Sequence, residues 1–287
     1  MINFSIIVCT YNRCEYLKET IESIIDAIDK RQDCELLIID NNSGDQTSAI
    51  VKSFNSFLSL KYFLETRQGL SHARNRGMQE AAGDVLVYLD DDIELPSNYF
   101  EVCDQIFQNP EIAISGGKVL PYNVNIPDWL PKKYYFLVSV YDMGNEPRFV
   151  KYLMGGNFAI RKEIAKNIGT YNSELGRKGN SLAGGEEIDY QNRATELGYQ
   201  MYYHPRQNIL HKINEKLNEA YVLKYAFELG KSERIIDQSL STNRVKIKLL
   251  KSHIAIIAHS LLSGILTKGK SLSYIRIINQ YAKGYKK

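Results

Sequence analysis

The chain has 287 residues, 44% apolar and 24% charged, with a formal net charge of +3. These are the proportions of a soluble globular protein with a large core, and the charge is too small to argue for a nucleic-acid partner. The four cysteines, Cys9, Cys14, Cys34 and Cys103, form no CxxC pair and no zinc spacing, so small unbridged thiols are expected.

The first half alternates short Ile-, Val- and Leu-rich runs with helical patterns. Residues 4–10, 35–40, 60–65, 84–89 and 112–119 read as buried strands, and 14–29, 45–57, 70–82 and 97–108 as helices, with Ser71 and Ser97 as N-caps. The N-terminus enters its strand without a basic leader, so a cytoplasmic chain with reduced thiols is expected. Strand–helix alternation predicts an α/β domain with a mostly parallel central sheet flanked by helices, its ligands bound beyond the carboxyl ends of the strands. Three runs end there in polar groups: Thr10-Tyr11-Asn12-Arg13, Asp40-Asn41-Asn42-Ser43 and Asp90-Asp91-Asp92.

Segment 121–148 holds four prolines, Trp129 and a group of tyrosines, and reads as a long functional loop. Regular structure resumes at 152–160. Residues 186–197 read as a helix ended by Gly198, 199–203 and 208–213 as strands, and the pattern is helical from 218. No Asp or Glu follows Asp237, whereas ten Lys or Arg do, which points to an anionic partner surface. The apolar run 254–266 falls short of the roughly 20 residues of a membrane span. Residues 249–266 with their flanking lysines fit either a helix in an anionic membrane interface or a hairpin packed on protein, a homo-oligomer included.

Three adjacent carboxylates at a strand end repel one another unless a cation is present. Mg²⁺ or Mn²⁺ would take such oxygen ligands together with substrate phosphates. An extended backbone points Asp90 and Asp92 to one side. A solvated acidic turn is the plain alternative.

Six segments in order carry a more specific signal: Ser5-Ile6-Ile7-Val8-Cys9-Thr10-Tyr11-Asn12-Arg13, Ile38-Ile39-Asp40-Asn41-Asn42-Ser43, Gly69-Leu70-Ser71-His72-Ala73-Arg74-Asn75, Tyr88-Leu89-Asp90-Asp91-Asp92, Gly155-Gly156-Asn157-Phe158-Ala159-Ile160-Arg161 and Gly185-Glu186-Glu187-Ile188-Asp189. Together they resemble the family 2 glycosyltransferases, which have the nucleotide-diphospho-sugar transferase (GT-A) fold. The resemblance implies an inverting, hexosyltransferase-type enzyme. It would move a sugar from a nucleotide-sugar donor, UDP being the commonest, to a saccharide or lipid-linked acceptor in polysaccharide biosynthesis, in the cytoplasm or on the inner face of the membrane. Residues 1–213 would form the catalytic domain, with 1–120 the nucleotide-binding half and 121–213 the acceptor and base half, and 214–287 a basic helical C-terminal region.

Roles follow position by position from the resemblance. Thr10, Tyr11 and Arg13 would line the base pocket, Asp40 would meet base or ribose, and Arg74 would reach base or diphosphate. Asp90 and Asp92 match the family's DxD signature around Asp91, with Asp92 the divalent-cation ligand and Asp90 shared between metal and ribose. Gly155 and Gly156 would let backbone approach the donor sugar, and Asn157 would hydrogen-bond it. The catalytic base falls on Glu187 of the pair Glu186-Glu187. The family usually has Glu-Asp there, and the extra methylene leaves Glu186 and Asp189 as substitutes. Helix-dipole stabilisation by first-turn acids is the plainer reading of this pair, and Asp189 with Arg193 reads as a structural ion pair. His211 would be a third metal ligand, with His204 its rival; His72 reads as bland. Trp129 is the preferred acceptor contact, while Tyr134, Tyr135 and Tyr141 read as packing. Two other functions stay open: a nucleotidyltransferase, although 10–13 lacks a Gly-rich phosphate loop, and a non-catalytic binding module of the same fold.

Overall fold

The computed structural model describes residues 3–28, 31–57, 59–240 and 270–287. Its strands are β1 (Phe4–Thr10), β2 (Cys34–Asp40), β3 (Leu60–Leu64), β4 (Val85–Leu89), β5 (Ile93–Glu94), β6 (Ile114–Gly116), β7 (Val119–Pro121), β8 (Arg148–Val150), β9 (Asn157–Arg161), β10 (Met201–Tyr203) and β11 (Ile209–His211). Its α-helices are α1 (Cys14–Ile28), α2 (Thr47–Ser53), α3 (Leu70–Glu80), α4 (Tyr99–Phe107), α5 (Lys162–Ile168), α6 (Glu186–Glu196), α7 (Glu219–Leu240) and α8 (Lys270–Lys286).

The residues divide into two compact units. One runs to Tyr122 and adds Tyr141–Glu174 and Glu186–Lys212; the other comprises Asn123–Val140, Leu175–Gly185 and the described residues from Ile213 onward. An eight-stranded sheet of order β3-β2-β1-β4-β9-β6-β10-β8 forms the first unit's centre. Pairings among β3, β2, β1 and β4 are parallel, while β9 runs antiparallel to both β4 and β6. Alternate residues of the inner strands feed two cores. Ile6, Val8, Leu36, Ile38, Val85 and Val87 pack with Leu17, Ile21 and Ile24 of α1 and with α4. Ile7, Leu37, Ile39, Leu86 and Tyr88 pack with Ala73 of α3 and Tyr190 of α6. Burial on both faces explains why these runs are continuously apolar rather than alternating. Each fully buried Leu or Ile contributes roughly 1.5–3 kcal/mol.

The expected α/β fold is therefore present, with local corrections. Ser71 and Ser97 do not cap their helices: the N-cap positions are Gly69 and Asn98, neither with a side-chain capping bond. The helix expected at 45–57 shortens to α2 because Asp45 serves as an acceptor at two chain turns, taking the N–H of Cys14 at 3.1 Å and of Thr47 at 3.0 Å. The single strand expected at 112–119 is two short strands, β6 in the large sheet and β7 in a three-stranded sheet of order β5-β11-β7. Gly117 marks the break, where an added Cβ would stand 2.0 Å from the Gln207 carbonyl oxygen and 2.4 Å from that of His204.

In the second unit α7 and α8 pack together, and the Tyr285 hydroxyl donates to buried Asp237 at 2.7 Å. No helix among the described residues is long and apolar enough to cross a membrane. The run 249–266, weighed above as an interfacial helix, lies outside the described residues.

Gly117→Ala forces backbone apart at the sheet switch, and overpacking of this kind costs about 1–3 kcal/mol. A lowered denaturant midpoint at unchanged slope is the expected measurement; an unchanged midpoint would show that the loop at 204–207 gives way freely.

Candidate active site

Strand register assembles the site. Val8 lies opposite Leu89 in the β1–β4 pair, so Asp91, two residues on, comes level with Thr10. The Thr10 hydroxyl donates to Asp91 Oδ2 at 2.8 Å. Leu89 lies opposite Asn157 in the β4–β9 pair, which sets Gly156 beside Asp90. Ile93 pairs with His211 between β5 and β11, and this brings the imidazole to the triplet. His211 Nε2 stands 2.7 Å from Asp92 Oδ1 and 3.9 Å from Asp90 Oδ2.

Asp90, Asp92 and His211 each offer one ligand atom, all within 4.8 Å of one another. Two carboxylates and an imidazole at that spacing suit a divalent cation such as Mn²⁺ or Mg²⁺. Of the two histidines weighed, His211 joins the cluster and His204 does not. His204 sits two residues beyond the middle of β10, where burial and Arg206 lower its pKa. Gly156 belongs to the same cluster: an added Cβ would lie 2.2 Å from Asp90 Oδ2. A side chain at position 156 would have to displace the Asp90 carboxylate.

Like charges along the triplet are held by one cation. Arg13 donates through Nη1 to Asp91 Oδ1 at 2.8 Å and through Nη2 to Asp92 Oδ2 at 2.7 Å. Burial pushes the Asp91 carboxyl up to about 6, with Arg13 pulling it down and Asp92 adding to the rise. Asp91 therefore faces inward as a support for its neighbours, not toward a donor. Thr20 of α1 completes this support. It is a buried polar residue inside the apolar stripe of Leu17, Ile21 and Ile24, and its hydroxyl meets the Asp91 carbonyl at 2.9 Å and the Ile93 N–H at 3.1 Å.

Asp40, at the end of β2, accepts the Ser43 N–H at 2.8 Å and the Tyr62 hydroxyl at 2.6 Å. Tyr11 lies half-buried in the loop after β1, where Asn12 adopts a φ of 52°. Asn157 departs from its expected contact with the donor sugar. It is fully buried, gives its amide hydrogens to the carbonyls of Lys118 at 3.1 Å and Gln207 at 2.7 Å, and accepts the Tyr99 hydroxyl at 2.7 Å.

The acidic pair opens α6. Glu186 Oε1 stands 2.7 Å from Arg74 Nη1, both residues buried, and Glu187 is half-buried. Gln191, one helical turn on, binds the Leu153 N–H at 2.7 Å and its carbonyl at 3.0 Å, tying α6 to the segment between β8 and β9 that leads into Gly155. Asp189 pairs with Arg193 at 3.1 Å, the structural role expected. Burial pushes the Glu186 carboxyl up from 4.5 to about 8, and Glu187 adds to the rise. Arg74 opposes the rise without bringing the group back to its ordinary value. Trp129 lies half-buried in the second unit, and Tyr141 packs at 5.9 Å on Tyr203.

The mostly parallel sheet, with the acidic cluster beyond β4 and the acid pair opening α6, has the GT-A fold. Residues 5–169 match the sequence profile described as Glycosyl transferase family 2. The chain therefore belongs to that family and is a glycosyltransferase. It is 26% identical over 242 residues to the glucosyl-dolichyl phosphate glucuronosyltransferase of Haloferax volcanii, covering 81% of this chain and 77% of that one. In fold it is similar to the mannosyltransferase PcManGT of Pyrobaculum calidifontis, solved with GDP-Man and Mn²⁺ (TM-score 0.67, 16% identity, 99% of this chain and 87% of that one). It is also similar to GalNAc-T7 solved with UDP, GalNAc and Mn²⁺ (TM-score 0.59, 21% identity, 74% of this chain and 43% of that one).

Two outcomes are expected. Gly156→Ala displaces the Asp90 carboxylate and lowers Mn²⁺ affinity about 10-fold or more in a calorimetric titration of folded protein, in the range seen when ligand-orienting contacts are lost; unaltered affinity would remove Asp90 from the cluster. Glu186, raised in the fold, binds more protons folded than unfolded between pH 4.5 and about 8. Its contribution is complete below pH 4.5 and is lost as pH rises through that window, so stability falls there. Glu186→Gln should flatten that fall in pH-dependent denaturation.

Proposed function

We propose that the protein is an inverting, divalent-cation-dependent glycosyltransferase taking a nucleoside-diphosphate sugar, UDP-linked, to a hydroxyl of a saccharide or lipid-linked acceptor. The carrying observation is the joint placement of Asp90, Asp92 and His211 with Glu187 around the Gly155-Gly156 turn. Gly156 meets Asp90, and an added Cβ at Gly155 would lie 3.3 Å from Glu187 Cβ.

Asp90, Asp92 and His211 would hold Mn²⁺ or Mg²⁺, which when bound stabilises the charge gathering on the departing diphosphate. Glu187 takes the acceptor hydroxyl proton as that oxygen attacks the anomeric carbon. The bond from that carbon to the diphosphate breaks, and its electron pair leaves with the nucleoside diphosphate. Glu187 is preferred over Glu186 because Glu186 is engaged by Arg74 and is 3% exposed. Asp189 is committed to Arg193. Arg13 holds the Asp92 carboxylate that would serve the cation, and the buried Thr10–Asp91 bond fixes the chain between Asp90 and Asp92.

A lipid-linked acceptor is supported by the name of the Haloferax relative, which contains a dolichyl phosphate. The excess of Lys and Arg after Asp237 fits action at an anionic membrane surface.

A hydrolysis screen of UDP- and GDP-sugars with Mn²⁺ or Mg²⁺ tests this reading. Metal-dependent release of nucleotide from one donor is expected, with Asp92→Ala lowering it at least 100-fold and Glu187→Gln lowering turnover about 10²–10⁴-fold. No turnover together with no nucleotide binding would sink it.

A further inference from the structure

Arg74 sits in surroundings unlike those of a donor ligand. It is 5% exposed, its Nη1 donates to Glu186 Oε1 at 2.7 Å, and its guanidinium lies 5.4 Å from the Tyr171 ring centre. The adjacent Asn75 fixes Tyr171 through two backbone bonds, at 2.9 and 2.7 Å. A Cβ at Gly155 would stand 3.0 Å from Arg74 Nη2 and 3.3 Å from Glu187 Cβ, so the second amino group and Glu187 crowd the same glycine.

One guanidinium thus serves two adjoining carboxyls. Glu186 Oε2 and Glu187 Oε2 are buried and take no hydrogen bond from a donor group among the described residues. Among the other titratable groups that interact with the guanidinium are Tyr171, Tyr88, Asp90 and Cys9. Burial raises Tyr171 and Cys9 above their ordinary values, so both are neutral at working pH.

We infer that Arg74 and Glu186 are positioning residues for Glu187, a buried ion pair that fixes the start of α6 beside Gly155, and that Arg74 does not bind the donor. Arg74 then offsets the like charge that two adjoining acids bring. This inference rests on the reading of Glu187 as the base.

Turnover, its pH profile and nucleotide affinity test it. Arg74→Met removes the cation and should move the acid limb of the pH–rate profile up by about one pH unit or more and lower kcat about 10- to 100-fold. Glu186→Gln breaks the pair and should lower kcat about 10-fold with nucleotide affinity within about 3-fold of wild type. Arg74→Lys should fall between wild type and Arg74→Met. The rate is nucleotide release from the donor found by screening, and affinity for UDP with Mn²⁺ is measured in parallel by calorimetry. Affinity within about 3-fold of wild type is expected for Arg74→Met and Arg74→Lys. A loss of nucleotide affinity of 10-fold or more with an unmoved acid limb would overturn the inference and return Arg74 to the donor. Should Arg74→Met fail to fold, Glu186→Gln decides: an unaltered kcat overturns it. If Glu187→Gln keeps full turnover, the base assignment itself fails. If Glu187→Gln is inactive and the limbs do not move, the inference alone fails.

Discussion

Three carboxylates in succession at the end of a buried strand must be held against their own repulsion. Two unit charges about 4 Å apart interact by roughly 4 kcal/mol at an effective dielectric near 20. Much of the first unit answers this demand. Arg13 spans Asp91 and Asp92, Thr10 donates to Asp91, and the His211 ring stands against Asp92. Each of these groups arrives by a different element, so the strand order and register of two sheets converge on one short stretch of chain. The repulsion that remains is what a divalent cation would relieve.

A second cluster obeys the same electrostatics without a metal. Glu186 and Glu187 stand side by side at the start of α6, where the helix dipole favours negative charge. Burial removes the water that would otherwise keep Glu186 ionised, and a single guanidinium stands against it. The Glu186 carboxyl is pushed above its ordinary value as a result. The Gly155-Gly156 turn lies between the two clusters, touching Glu187 and Arg74 through one residue and Asp90 through the next.

What was legible in the sequence was whatever depended on local pattern. Apolar runs buried on both faces announced β1, β2 and β4, and the triplet's position after Leu89 announced its place beyond the carboxyl end of β4. The grouping of Asp90, Asp92 and His211 was legible through the family resemblance, and these are residues brought together. The rest depended on contacts at long sequence separation. β5 is two residues long and has no periodicity to detect, yet its pairing places His211. Asn157 carries the residue type of a sugar ligand but is consumed by bonds to Tyr99, Lys118 and Gln207, which strand β9 brings within reach. Thr20 left a faint signal, a hydroxyl on the apolar face of α1. Ser71 and Ser97 had the composition of caps, but helix starts were set elsewhere by chain direction.

The most direct test of the site is the position of the ion. Anomalous diffraction from crystals grown with Mn²⁺ and UDP should show one strong peak bounded by Asp90, Asp92 and His211, with ligand distances of about 2.0–2.3 Å. A peak held by other residues, or none at this cluster in crystals whose protein hydrolyses the donor with Mn²⁺, would contradict the assignment.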